Sequence, residues 1–127
     1  MDAARNLALL AGRILLSGLF VYDATVMVRS WEQTAAYMAS YGVPTLLLPA
    51  AALFQLVGGV FLVVGHLTRL TALAFAGFAM ATAVIFHLPD GNAIQFGKDI
   101  AIAGGFLALA AAGAGRWSAD AYREARP

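Results

Sequence analysis

Polar and apolar positions separate along this chain into four long apolar stretches, Leu7 to Val28, Thr45 to Gly65, Leu67 to Leu88 and Ala93 to Ala114, joined by short polar segments. The hydrocarbon layer of a bilayer is about 30 Å thick and takes about 20 helical residues at a rise of about 1.5 Å each. Each stretch meets that length, so the pattern predicts an all-α integral membrane protein: a four-helix bundle with spans at about 7–28, 45–65, 67–88 and 93–114. The connections leave no room for a second folded unit, and residues 1–127 read as one transmembrane domain. Arg5 ahead of an apolar run imitates a signal peptide. The run is too long for an h-region and lacks a small-residue cleavage site, so it is expected to be retained.

The 29–44 connection has a pattern of its own. Trp31, Ala35 and Met38 recur at helical spacing, Tyr37 and Tyr41 stand four apart, and Gly42 and Pro44 end the run. A short amphipathic helix in the membrane interface is expected there, between the first two spans, either as an aromatic anchor or as a lid over a site beneath. Trp31, Tyr37 and Tyr41 are its lid candidates.

Composition agrees with the pattern. The chain is 61% hydrophobic and 12% charged, about half the charge of a typical soluble domain. A net charge of +1, with no basic stripe, argues against nucleic acid as a partner. The absence of Cys removes disulfides, thiolate catalysis and Cys-ligated metals together. Lys and Arg are distributed unequally between the two sides of the spans. Arg5, Arg69, Arg116, Arg123 and Arg126 fall on one side, with Arg13 able to snorkel towards it, and only Arg29 and Lys98 on the other. Both termini are therefore predicted to be cytoplasmic.

Candidate chemistry gathers at the loop end, away from the termini. Ile100 to Ala114 is too short to cross alone, so Lys98 and Asp99 are expected to be drawn into the fourth span. Lys98 shares a face with Gly105, which predicts that it points into the bundle, where Asp23 of the first span lies at similar depth. An Asp23–Lys98 bridge follows as an expectation, either fold-specifying or functional, since intramembrane charges are rare and often functional. Gln55 shares a face with Gly58 and Gly59 and should point inward, as interhelical glue or as a ligand for a polar head group. His66 and His87 are 21 residues apart, about 30 Å along a helix, too far to ligate one haem. His87 lies on the same side as Asp23, Gln95 and Lys98, and is either a satisfied interfacial side chain or a member of a proton relay. No metal site is expected.

The segments AAYMASYGVP, QLVGGVFLVVGHLTRL, FGKDIAIAGG and GAGRWS, in this order and spacing, resemble the DoxX family, small four-helix membrane proteins related to the DoxD subunit of thiosulfate:quinone oxidoreductase. The resemblance runs from about Leu7 to Asp120. It implies a bacterial inner-membrane bundle associated with redox or sulfur metabolism, held in the lipid bilayer with other membrane or redox subunits or as a homo-oligomer. Two positions depart from the family pattern. The usual basic residue of the first helix is replaced by Met27, and the usual acid of the second by Gln55, while Asp23 and Asp99 are added. With no flavin or metal motif in the chain, the resemblance implies an accessory or quinone-site subunit of an oxidoreductase system that could carry a bound quinone. A structural or assembly factor, and a small-solute or proton transporter, stand as alternatives.

Overall fold

A computed structural model describes residues 2–125, which are all helical and irregular, with no strand among them. Four long helices, α1 (Asp2–Arg29), α3 (Leu47–Val64), α4 (Thr68–Thr82, continued by a π-helical turn Ala83–His87) and α5 (Ala93–Ala112), are long and apolar enough to cross a membrane. Their limits follow the four apolar stretches closely. The short helix expected between the first two spans is present as α2 (Trp31–Ser40), and a seven-residue α6 (Ala119–Ala125) closes the described chain.

Each boundary has a local cause. Pro49 sits in the first turn of α3, where a missing N–H breaks no helical hydrogen bond. Asn92 caps α5, its side chain accepting from the Gln95 amide at 3.2 Å. Gly65 ends α3 in the left-handed conformation at φ 76°, and a Cβ there would stand 2.4 Å from Ser118 Cβ.

The helices assemble as two pairs, α1 with α3 and α4 with α5, the most extensive contacts in the molecule. Lipid offers little hydrophobic reward for helix association, so close packing and polar contacts must do the holding. Between the pairs lies a phenylalanine core. Phe75 meets Phe54 at 4.8 Å, Phe20 at 5.0 Å and Phe106 at 5.2 Å between ring centroids, separations at which aromatic pairs attract. Gly58 and Gly59 make room for it: added Cβ atoms would stand 2.6 Å from the Phe75 ring and 2.4 Å from a Val21 methyl.

Arg13 departs from expectation. Instead of snorkelling to the membrane surface it is fully buried. Its guanidinium donates to the carbonyls of Leu62 (3.1 Å), Val63 (2.9 Å) and Trp117 (2.5 Å). The last turn of α3 leaves carbonyls without helical partners, and these acceptors hold the cation more firmly than a reach to the interface would. The same end is closed by Asp120, whose carboxylate accepts from the Leu67 and Thr68 amides at 2.8 and 2.9 Å.

Candidate functional site

At the loop end, α4 does not finish as a regular helix. Its last five residues, Ala83–His87, form a π turn, a widened geometry that frequently accompanies functional side chains. The turn places the His87 ring against α5, where His87 Nδ1 lies 2.5 Å from Asp99 Oδ2. A carboxylate only accepts, so Nδ1 donates to it, and in the neutral tautomer that this selects Nε2 is the acceptor. The other Asp99 oxygen accepts from Gln95 Nε2 at 3.3 Å, one helical turn earlier on α5. The side chains of His87 and Asp99 retain 23% and 12% exposure, so the pair is sheltered but reachable.

Asp99 and not Lys98 therefore faces the bundle. Asp99 is buried, in line with Ala103, Phe106 and Ala110 on the inward face of α5, while Lys98 is exposed. Neighbouring helical residues point about 100° apart, so only one of the two can occupy that face. The expected Asp23–Lys98 bridge does not form; among the described residues Asp120 pairs with Arg123 at 2.9 Å, and Asp99 is hydrogen-bonded to His87. Asp23 lies instead beside the Gln55 amide and within the electrostatic reach of Asp99.

Gln55 points inward as expected and is fully buried. Its Nε2 approaches Met27 Sδ at 3.1 Å, and its Oε1 has no hydrogen-bond partner. Met27 and Gln55, the two positions that the family resemblance singles out, are thus in direct contact across α1 and α3. One turn before Met27, Asp23 brings an acid to α1 beside the position where α3 has lost one.

Over this cluster sits an aromatic group. Tyr37 stacks on Phe86 of the π turn at 5.3 Å, Tyr41 meets Phe86 edge-on at 5.3 Å, and the two tyrosines are 5.0 Å apart. Tyr41 donates its hydroxyl to Asp90 in the connection after α4. That hydrogen bond pushes the Tyr41 phenol well above its ordinary pKa, so it remains a donor at any physiological pH. Met38 is the buried residue of α2. Of the three lid candidates, Tyr37 and Tyr41 are joined to the π turn, while Trp31 is exposed and makes no ring contact there.

The sequence pattern gave no sign of the π turn or of Asp99 as the hub. The i, i+4 spacing of Gln95 and Asp99, and of Asp99 with the apolar positions after it, was the available signal. His66, at the opposite end, packs its ring edge-on against Phe61 at 5.0 Å and joins no polar cluster. No group of three or more His, Asp or Glu side chains suited to a metal occurs among the described residues.

Comparison with known proteins adds the following. A DoxX family model matches residues 8–88, from α1 through the π turn. The chain is 38% identical over 123 residues to inner membrane protein YqjF of Escherichia coli, covering 94% of this chain and 95% of the relative. It is 34% identical over 128 residues to inner membrane protein YphA of the same organism, covering 93% and 91%. No solved structure matches.

Proposed function

This chain belongs to the DoxX family, and from that premise we propose that it is an inner-membrane subunit whose loop-end cluster receives a quinone or quinol head group for a membrane-associated oxidoreductase. The observation that carries this reading is the His87–Asp99 pair, hydrogen-bonded at 2.5 Å and reachable beside a tyrosine–phenylalanine stack. Bound as the quinol, such a group would supply two electrons and two protons, with a cofactor of a partner subunit as the electron acceptor. Fit to such a ring rests on two features: the reachable imidazole of His87 and the flat aromatic faces of Tyr37 and Phe86.

The chain's own residues then divide the work. With Nδ1–H directed at Asp99, His87 Nε2 accepts a hydroxyl proton, and the Asp99 carboxylate stabilises the imidazolium that results. Gln95 orients Asp99 through its other oxygen. The Tyr41–Asp90 hydrogen bond ties α2 to the connection after α4, keeping the stack seated on the π turn. Lys98 is exposed on the outward face of the fourth span and takes no part.

The test is quinone retention after gentle purification, followed by titration with a short-chain quinone analogue. His87→Gln and Asp99→Asn should each weaken analogue binding about tenfold or more, the scale of losing a charge-assisted hydrogen bond. Lys98→Ala should leave it unchanged. Equal binding by Asp99→Asn and the unmodified protein would remove the reading.

A scaffold for partner helices is the second reading, favoured by the small residues Gly97, Ala101 and Gly104 along the exposed side of α5. Gly58 does not belong to such a surface, since it packs on Phe75 inside the bundle. Enlarging Gly104 should then release a partner while leaving analogue binding intact.

A further inference from the structure

At the end of the bundle that carries both termini, a cavity of about 490 Å³ opens among Arg5, Arg69, Arg116 and Arg123. A second, of about 230 Å³, runs between α1 and α5 and is lined by apolar side chains and glycines, including Leu9, Gly12, Leu16 and Ala108. Ala112 lines both. The first is rich in cations and the second has no polar side chain, so a basic cavity and an apolar groove adjoin at Ala112. We propose that this site binds an anionic glycerophospholipid, its phosphate among the arginines and one acyl chain along the α1–α5 groove.

The cations are available to different degrees. Arg69 donates to the Ala111 and Ala110 carbonyls at 3.0 and 3.4 Å, and Arg5 donates to Ala112 O at 3.4 Å. Arg123 pairs with Asp120 at 2.9 Å. The Arg116 side chain makes no hydrogen bond or ion pair among the described residues, while its backbone amide is anchored by Asn6 at 3.2 Å. Carbonyl contacts do not neutralise a guanidinium, and each arginine keeps further N–H groups for a phosphate. Asp120 is committed to the start of α4, and Glu124 is the other carboxylate on the wall. The balance of charge is positive.

The groove decides between a lipid and a free phosphate. α1 and α5 touch far less than the paired helices do, and an added Cβ at Gly105 would only just reach Leu16 at 3.5 Å, while one at Gly12 would meet nothing within 4 Å. An apolar channel opening sideways between two spans faces lipid chains, and basic pockets at helix ends are where anionic head groups are recognised. A soluble phosphate would have no use for it.

Native mass spectrometry of the detergent-solubilised full chain, titrated with phosphatidylglycerol or phosphatidylcholine of identical chains, reads the proposal directly. Phosphatidylglycerol should bind at least tenfold more tightly. Arg116→Gln should cut that preference severalfold, and adding Arg5→Gln should abolish it, with thermal unfolding of Arg116→Gln unchanged because its side chain holds no bond among the described residues. Ala108→Leu, which fills the groove, should weaken both lipids. Equal binding of the two lipids would overturn the proposal. So would displacement of phosphatidylglycerol by millimolar inorganic phosphate together with full binding by Ala108→Leu, which would assign the arginines to a soluble phosphate.

Discussion

Arg13 and Asp99 carry the two ends of this molecule, and neither was recognisable as doing so from its neighbours in sequence. A lone arginine six residues into an apolar run reads as a snorkelling side chain, because its acceptors, Leu62, Val63 and Trp117, are 49 to 104 positions away. Asp99 was legible as one member of a Lys–Asp pair, but which member turned inward depended on the rotation of α5 about its axis. Gly105 and Phe106 give opposite answers to that question, and the structure follows Phe106, which packs on Phe20 and Phe75. Apolar volume outweighs a small residue in setting the buried face. For Arg13 the energetic stake is large: replacing it with Met strands the buried Leu62 carbonyl and the part-buried carbonyls of Val63 and Trp117, and charge-assisted hydrogen bonds contribute about 1.5–3 kcal/mol each. Arg13→Met should therefore lower stability by about 3–5 kcal/mol, measured by unfolding in mild detergent, a scale that matches the breaking of a buried charged contact. Arg13→Lys should recover little, since an ammonium on a different stem cannot reproduce the guanidinium fork.

At the scale of elements, the four spans were legible because bilayer thickness leaves a helix little choice of length, and α2 because aromatic and apolar residues recur at helical spacing. The π turn was not, since one extra residue per turn changes no composition. Nor was the connection at 65–67, where two successive reversals depend on a distant carboxylate. Leu67 is held at φ 49°, a left-handed conformation unusual for a side chain with a Cβ. Asp120 accepts from its amide and from that of Thr68. Burial pushes the Asp120 carboxyl up, but the Thr68 and Leu67 amides, with Arg123, outweigh it and hold the group below its ordinary value. A depressed folded pKa stabilises the protein above the unfolded value, about 3.9 for Asp, and that contribution is lost as pH falls through the folded value. Asp120→Asn should accordingly unfold more easily than the unmodified protein at pH 7, and the two should converge towards pH 3. Thermal scans at both pH values check the sign.

For the whole molecule, an even number of spans places both termini on the same side of the bilayer. The Lys and Arg bias predicts that this side is the cytoplasmic one, and a C-terminal reporter active only outside would reverse the prediction. The two polar regions then face opposite leaflets, with the phenylalanine core between them, and each can be altered without touching the other. Arg13 adds a requirement in time. During synthesis α1 enters the membrane before α3 and α5, carrying an arginine, which would cost about 2.5–3.5 kcal/mol at the centre of a span and less at Arg13's depth near its end. Its acceptors at Leu62 and Val63 do not yet exist, and its last one, Trp117, is made 104 residues later. The arginine of the first helix thus waits for α3 for two of its acceptors and for Trp117 for the third, and a chain truncated after α5 should be less stable in detergent than the full chain.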